Sequence, residues 1–184
     1  EFLMEKSEIK NVKNGIKKVK GKIEFKKTFF KYSDSNVQAL NGISFLVKPK
    51  SSLGIIGVTG SGKTTALKLI TRSYNISSGE ILFDDHSLNK IDLTYLRENI
   101  GVVPQDSFLF SDTIINNIRF GNEKASKKEI EKVCKIAGIH KEILKFKDQY
   151  NTILGERGVN LSGGQKQRVC IARALVKKPK IIIL

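Results

Sequence analysis

The chain carries the run Gly57-Val58-Thr59-Gly60-Ser61-Gly62-Lys63-Thr64, which follows the pattern G-x-x-x-x-G-K-[ST]. Its glycines allow successive backbone N–H groups to point into one concave nest that holds phosphate oxygens, and a helix beginning at Lys63 would add the positive end of its dipole. The Lys63 ammonium would reach the β- and γ-phosphates, and the Thr64 hydroxyl could bind Mg²⁺. The run therefore predicts a site for a nucleoside triphosphate.

The residues on both sides of this phosphate loop fit the setting that such a loop requires. Residues 52–57 form a short apolar run that predicts a strand entering the loop, and residues 66–70 predict an apolar face on the helix that follows. A flexible Gly/Ser loop that matched the pattern by chance would not need both neighbours. We therefore interpret the run as a true phosphate loop.

Apolar, β-branched and aromatic runs elsewhere predict further strands, separated by turns. The strands are expected at residues 22–30, 42–47, 80–83, 100–103 and 181–184. Residues 33–36 and the pair Asp84-Asp85 carry typical turn residues. The continuous apolar run 181–184 is typical of a strand buried on both faces of a sheet. This order of elements predicts an α/β fold with a helical insert.

Two longer helices are predicted in the second half of the chain. Ser126 and Glu129 form a capping box, and an apolar stripe follows them up to Gly138, where the helix would end. The stripe consists of Ile130, Val133, Cys134 and Ala137. A later helix is expected at about residues 164–176, with the inner residues Val169, Ala172, Leu175 and Val176.

The composition limits the class of protein. A chain of 184 residues with 40% hydrophobic residues fits one domain with its own core. The formal net charge of +15 is compatible with nucleic-acid binding, but only six of the 33 basic residues are Arg and they are spread along the chain, so solvated lysines explain the charge better. Cys134 and Cys170 predict buried thiols rather than a disulfide, and His86 and His140 lack the neighbours of a metal site.

The two ends of the sequence differ from its middle. Residues 1–21 are rich in lysine without a sustained hydrophobic period, and we interpret them as a linker or arm. No apolar run reaches the length of a membrane span, and no secretory signal is present. The chain begins at Glu1 and ends at Leu184 within an apolar run, so we expect it to be a piece of a larger protein.

A second glycine-containing run, Leu161-Ser162-Gly163-Gly164-Gln165, precedes the last predicted helix. Together with residues 166–168 and 171–175 it is similar to the signature motif of ATP-binding cassette (ABC) proteins. An ordinary turn would explain Ser162 and the glycines but not the long match around them. These residues would open a helix and present a second set of free N–H groups to an anion.

The resemblance to ABC proteins implies a fold and a domain organisation. The expected fold is a P-loop NTPase core with an antiparallel β subdomain and an α-helical subdomain that carries the signature. Residues 22–184 would form the nucleotide-binding domain, with the helical subdomain at about residues 106–165. Two such domains would pack head to tail, and each ATP would lie between the phosphate loop of one copy and the signature of the other.

The resemblance also implies roles for individual residues. Tyr32 corresponds to the aromatic residue that stacks on adenine, a position that Phe29 or Phe30 could occupy instead. Gln105 matches the glutamine that meets Mg²⁺ and the attacking water. The implied catalytic residues are Lys63 and Gln105, and the implied Mg²⁺ ligands are Thr64 and Gln105. The residues expected around ATP are Tyr32, Gly57, Val58, Thr59, Gly60, Ser61, Gly62, Lys63, Thr64 and Thr65, with Leu161, Ser162, Gly163, Gly164 and Gln165 from the second copy.

Two segments resemble exporters within the ABC family. Residues 105–110 and 152–158 are similar to the parts of exporter cassettes that face the coupling helices of a membrane domain, on its cytoplasmic or matrix side. Phe108, Leu109 and Phe110 would offer an apolar docking patch, although either phenylalanine could instead enter the domain's own core, and Glu156 and Arg157 would offer charged contacts. Residues 138–144 and 150–152 resemble half-transporters of the mitochondrial, heavy-metal and multidrug group.

Two alternatives to an active exporter stay open at this point. A soluble ABC ATPase that acts on nucleic acid or ribosomes would account for the positive charge, and a regulatory cassette would bind ATP without hydrolysing it. In the family, an aspartate for Mg²⁺ and a glutamate for the attacking water follow the strand that ends here at Leu184. We therefore expect the 184-residue polypeptide to bind Mg-ATP and to hydrolyse it negligibly.

Overall fold

The computed structural model describes residues 9–12, 19–158 and 160–184. Much of the expected arm, residues 1–21, therefore lies outside the described residues. The chain divides into two compact units, Glu1–Arg97 and Glu98–Leu184, which we call the first and second unit.

The first unit is built on an antiparallel sheet. Its strands are β1 (Ile23–Lys31), β2 (Gln38–Val47), β3 (Ser78–Phe83) and β4 (His86–Ser87), in the spatial order β2-β1-β3-β4. Along β1, Ile23, Phe25 and Phe30 are buried, and a register shift near Lys27, whose φ is 42°, keeps both halves of the strand facing the core. The predicted antiparallel β region is thus confirmed.

A tight turn joins β3 to β4 through Asp84 and Asp85, whose φ angles are 49° and 65°. Positive φ at both central residues is the mark of a type I′ hairpin turn, so the predicted turn is confirmed. The Asp84 carboxylate also accepts hydrogen bonds from the backbone N–H groups of Lys20, Gly21 and Lys22, at 2.7, 3.1 and 2.8 Å. One carboxylate therefore fixes the chain where it enters β1.

The strand predicted at residues 52–57 is absent from the structure, and this prediction was wrong. None of these residues lies in a strand, and the side chain of Ile56 is 97% exposed. Apolar sequence alone does not make a strand, because a strand needs a neighbour for its backbone hydrogen bonds. The predicted helix start is confirmed: α1 spans Lys63–Ile70, and α2 spans Leu93–Glu98.

The second unit combines helices with a short parallel sheet. Its elements are β5 (Ile100–Val102), α3 (Ile114–Arg119), α4 (Lys127–Ile136), α5 (His140–Ile143), α6 (Gly163–Val176) and β6 (Ile181–Ile183). The core forms where α3 and α4 pack against α6, and Ile118, Ile130 and Val169 are fully buried in it. Gly121 permits the close approach of α6, because a Cβ there would lie 2.1 Å from the carbonyl oxygen of Arg173.

The local helix predictions in this unit are confirmed. Ser126 and Glu129 form the expected capping box of α4, and Gly138, with φ of 74°, lies just beyond its end. Cys134 and Cys170 are free and buried, and burial raises the pKa of the Cys134 thiol to about 11. The expectation that β6 is buried on both faces was wrong: within the described residues it pairs with β5 alone, and Ile182 is 43% exposed, because its face of the strand is only partly covered.

Candidate functional site

The phosphate loop ends in a helix start that no side chain caps. Gly62 is the N-cap of α1 with φ of 87°, no side chain bonds to the amides of the first turn, and that turn contains no acidic residue. A Cβ at Gly62 would lie 2.3 Å from the carbonyl oxygen of Ala39, so only glycine fits here. The free amides and the positive end of the helix dipole together favour an anion.

The loop folds around the ammonium group of Lys63. Its Nζ donates to the carbonyl oxygens of Gly57 and Val58, both at 2.7 Å, and lies 3.4 Å from Ser61 Oγ. Gly60 has φ of 84°, and an added Cβ there would meet no atom within 4 Å. The loop therefore surrounds the positive charge of Lys63 and leaves open space beside Gly60.

These residues fit a magnesium-bound triphosphate. The phosphate oxygens require amide and ammonium donors, which the first turn of α1 and Lys63 supply. Thr64 is exposed in the first turn of α1, and its hydroxyl can give Mg²⁺ one oxygen ligand, while phosphate oxygens and water are the usual remaining ligands.

The structure places Tyr32 beside the helix that follows the loop. Its hydroxyl lies 2.9 Å from the Oγ1 of Thr65, and its ring packs edge-on against Phe30 and Tyr74 at 4.8 and 5.4 Å between centroids. Phe30 is only 4% exposed, which removes it from the candidates for stacking on a base, whereas Tyr32 keeps an accessible part. The ring of Phe29 packs against Gly42.

The signature forms the expected helix start. Ser162 is the N-cap of α6, its Oγ accepts from the Gln165 N–H at 3.3 Å, and the Gln165 Oε1 accepts from the Ser162 N–H at 2.9 Å. This reciprocal capping box was missed in the sequence, although the spacing Ser-x-x-Gln is its known pattern. An added Cβ at Gly163 would meet no atom within 4 Å, so the chain's own packing does not require glycine there.

A residue outside both motifs, Glu142 of α5, contacts the signature helix. Its Oε2 accepts from Gln165 Nε2 at 2.8 Å, and its Oε1 accepts from the Arg168 guanidinium at 2.6 Å. Sequence reasoning missed Glu142, since the contact spans 23 residues and follows no local spacing rule.

Gln105 and the expected docking segment also lie in the second unit. Gln105 is exposed just beyond β5. The prediction that Leu109 belongs to an exposed patch was wrong: its side chain is fully buried, because it faces the core beneath Gly158. Phe108 and Phe110 are 49% and 40% exposed, and Phe120, at 65%, contacts Phe110. We call Phe108, Phe110 and Phe120 the aromatic patch.

Arg173 of α6 contacts the aromatic patch. The guanidinium lies 5.6 Å from the ring centroid of Phe110 and donates to the carbonyl oxygen of Phe108 at 2.9 Å. In the second expected docking segment, Ile153 is 69% exposed and Glu156 is also exposed, whereas the side chain of Arg157 lies outside the described part of the chain.

Two further properties concern only the part of the chain that the structure describes. No group of three or more His, Cys, Asp or Glu side chains comes together there as a set of metal ligands. Of the described helices, none combines the length and the apolar content needed to cross a membrane.

Comparison with known proteins shows that this chain is similar to ABC proteins. The chain is 48% identical over 167 residues to the uncharacterized ABC transporter ATP-binding protein YfiB of Bacillus subtilis, covering 91% of this chain and 29% of that protein. It is 45% identical over 186 residues to ATP-binding cassette sub-family B member 6 of Mus musculus, covering 100% and 22%. It is 49% identical over 176 residues to the multidrug resistance-like ATP-binding protein MdlA of Buchnera aphidicola subsp. Schizaphis graminum, covering 96% and 30%.

A solved structure has the same fold. A bacterial Atm1-family ABC exporter with ATP bound superimposes with a TM-score of 0.90 at 40% identity, covering 95% of this chain and 31% of that one. The predicted fold class is thereby confirmed, and the chain spans less than a third of the length of each of these proteins. The profile of the ABC transporter family matches residues 40–184, well over half of the sequence. The chain therefore belongs to the ABC transporter family.

Proposed function

We propose that this chain is the nucleotide-binding domain of an ABC exporter, which binds and hydrolyses ATP to drive transport across a membrane. The observation that carries the proposal is the presence of two separate helix starts, at Gly62 and Ser162, each suited to phosphate oxygens. Residues 22–184 would make up the domain, with its helical subdomain at about residues 106–165. ATP supplies the free energy when its γ-phosphate is cleaved.

The phosphate loop would hold the triphosphate through residues 57–65. The amides of the loop and of the first turn of α1 would donate to the phosphate oxygens. The Lys63 ammonium would exchange its two carbonyl acceptors in the loop for the β- and γ-phosphates, which carry full negative charge and bind it more strongly. Tyr32 would stack on the base, held by Thr65 and by the rings around it.

The signature would act on ATP bound to a second copy of the domain or to a homologous partner. Gly163 supports this role, because the open space where its Cβ would stand allows a phosphate to approach the backbone. Ser162 Oγ accepts one hydrogen bond from Gln165, which leaves its hydroxyl proton to donate outward. ATP would thus join two copies, and hydrolysis would remove the contacts that favour the closed pair.

Gln105 would orient Mg²⁺ and the attacking water from its exposed position beyond β5. Polarising that water calls for a carboxylate, which the family supplies after the strand that corresponds to β6. A polypeptide of residues 1–184 would therefore bind Mg-ATP and turn it over negligibly.

The aromatic patch, with Ile153 and Glu156, would receive the coupling helices of the membrane domain. Exposed aromatic side chains next to polar groups are typical of protein interfaces. The membrane domain would place this chain on the cytoplasmic or matrix side of a membrane. YfiB is an ABC transporter ATP-binding protein by name, and the solved structure that superimposes on this chain is of an ABC exporter. Both favour export over the alternative of a soluble ATPase on nucleic acid or ribosomes.

ATP turnover in the exporter that carries this cassette tests the proposal. Lys63→Ala should lower turnover by about 100-fold or more, because it removes a charged donor from the transferring phosphate. Lys68→Ala is the matched control, since Lys68 is an exposed lysine in the last turn of the same helix, and it should leave turnover unchanged.

Two outcomes would contradict the proposal. Equal turnover in the Lys63→Ala variant and the parent protein would remove the phosphate loop from the reaction. Lys63-dependent turnover by the isolated 184-residue chain would contradict its expected inactivity.

A further inference from the structure

We infer that Glu142 is a positioning residue for the signature: it sets the orientation of the Gln165 side-chain amide and, through it, the geometry of the Ser162 hydroxyl and the first amides of α6. The inference rests on the function proposed above, because the signature matters only if it meets a nucleotide.

A continuous chain of hydrogen bonds leads from α5 to the first residues of α6. Glu142 Oε2 accepts from Gln165 Nε2 at 2.8 Å, and Gln165 Oε1 accepts from the Ser162 N–H at 2.9 Å. The Gln165 N–H in turn donates to Ser162 Oγ at 3.3 Å. A change at Glu142 therefore reaches Ser162 through a single side chain.

An ionised carboxylate only accepts hydrogen bonds, so Glu142 determines which end of the Gln165 amide faces it. A glutamine amide can present either its oxygen or its NH₂ group to a neighbour, whereas the Glu142 carboxylate accepts hydrogen bonds and donates none. It therefore binds the NH₂ group and turns the amide oxygen of Gln165 toward the Ser162 N–H. In that orientation the Ser162 Oγ receives the Gln165 N–H, and the hydroxyl proton stays available for a phosphate oxygen.

Glu142 is itself held on two sides. Its second carboxylate oxygen accepts from the Arg168 guanidinium at 2.6 Å, one turn further along the same helix α6. Its backbone belongs to α5, which Ile139 and Ile143, both 1% exposed, anchor in the core of the second unit. The carboxylate is thus fixed relative to both Gln165 and the body of the unit.

The capping box of α4 lacks this arrangement. There Glu129 itself caps Ser126, and its ion pair is with Lys178, an exposed lysine. At α6 the residue that caps Ser162 is Gln165, which carries an amide. The Glu142 carboxylate binds the Gln165 amide and not Ser162 itself. Glu129 therefore provides a matched site at which an ion pair can be removed without touching the signature.

A swap of the amide and the carboxylate tests the inference in the exporter that carries this cassette. Gln165→Glu alone places two carboxylates face to face and should lower kcat for ATP about tenfold, since like charges at this distance repel. The double variant Gln165→Glu with Glu142→Gln restores one donor and one acceptor and should recover most of that loss. Glu142→Ala removes the hydrogen bonds to Gln165 and Arg168; loss of the one that orients Gln165 should lower kcat about fivefold, without changing the affinity of the phosphate loop for ATP.

The same experiment includes a control variant and two possible results that would overturn the positioning role of Glu142. Glu129→Gln should leave kcat unchanged although it removes an ion pair from the same unit. A double variant as inactive as Gln165→Glu, or a Glu142→Ala variant with parental kcat, would overturn the positioning role. Turnover is counted per folded, ATP-binding site, so a general loss of stability would lower the amount of active protein and leave kcat unchanged.

Hydrogen exchange separates this inference from the proposed function. In the exporter that carries this cassette, Glu142→Ala should speed exchange of the Ser162 amide about fivefold, because that N–H depends on the fixed amide oxygen of Gln165. Absence of Lys63-dependent turnover in the exporter would overturn the proposed function, and unchanged Ser162 exchange would overturn the positioning of the amide.

Discussion

The two glycine-containing helix starts of this chain leave their backbone amides in different states. At α1 the N-cap is Gly62 in the left-handed region, and no side chain bonds to the first turn. At α6 the N-cap is Ser162, and Gln165 completes a reciprocal capping box. The first start depends on glycine for its own backbone, whereas the second is a conventional capped helix that would form without glycine.

This difference indicates that glycine has two separate uses at the two helix starts. At Gly62 the backbone conformation and the nearby carbonyl oxygen of Ala39 exclude any side chain. At Gly163 the backbone is ordinary and the surrounding space is empty, so in the proposed function the missing side chain would let a ligand approach. The same residue type therefore marks backbone strain in one motif and access in the other.

The largest expected effect separates these two uses by stability. Gly62→Ala should lower the free energy of unfolding by on the order of 2–4 kcal/mol, because a Cβ would lie 2.3 Å from a backbone oxygen at a φ of 87°. Gly163→Ala should keep or raise stability by up to about 1 kcal/mol, because alanine favours a helix over glycine. Urea denaturation of the 184-residue chain measures both.

Equal losses of stability in Gly62→Ala and Gly163→Ala would contradict the two separate uses of glycine. So would a Gly163→Ala variant that, in the exporter, bound a second ATP-loaded copy as well as the parent protein does. Reduced ATP-driven association with full stability is the expected result for Gly163→Ala.

A smaller effect is expected from the two serine caps. Ser162→Ala and Ser126→Ala should each lower the free energy of unfolding by about 1 kcal/mol, the usual loss for an N-cap serine. Only Ser162→Ala should also reduce ATP turnover, because only its hydroxyl is placed to meet a phosphate. Denaturation of both variants measures the stability loss, and turnover of the exporter that carries each variant measures the functional loss. A turnover loss in Ser126→Ala as large as that in Ser162→Ala would contradict this prediction.

The smallest effect is the pH dependence that the α4 cap contributes. The hydrogen bonds that Glu129 accepts from Lys178 and Ser126 lower its pKa from 4.5 to about 2. Since the folded pKa lies below the ordinary value, the Glu129 contribution is present above about pH 4.5 and is lost as the pH falls toward 2. The capping amide of Gln165 does not titrate in this range.

Denaturation of the parent chain and Glu129→Gln at pH 6 and pH 2.5 measures this dependence. The parent should be more stable at pH 6, and the difference should shrink at the lower pH. Glu123→Gln, which changes an exposed charge outside α4, is the control. A difference between the parent and Glu129→Gln that stays constant with pH would contradict the assignment.

Local signals in the sequence predicted the parts of the fold that local contacts determine. The capping box at Ser126, the helix end at Gly138 and the helix start at Lys63 depend on residues within one or two turns, and the structure confirms them. The similarity of residues 161–165 to the ABC signature predicted the start of α6 in the same way.

The predictions that failed depend on distant partners. Whether residues 52–57 form a strand depends on a neighbouring strand for backbone pairing, and the burial of β6 depends on what covers its second face. Leu109 illustrates the same limit, because a row of three apolar residues does not reveal which one turns inward. Glu142 reaches Gln165 across 23 residues, a distance at which spacing rules carry no information.

The three bonds that Asp84 accepts from Lys20, Gly21 and Lys22 have a mechanical consequence. Three consecutive amides bound to one carboxylate can neither slide nor rotate singly, so the chain is fixed at the point where it enters β1, an inner strand of the sheet. A load applied ahead of Lys20 would pass into the β3–β4 hairpin before it stretched β1. A motion transmitted along the polypeptide into this unit would therefore reach a point that is fixed by Asp84, and a flexible segment would not absorb it there.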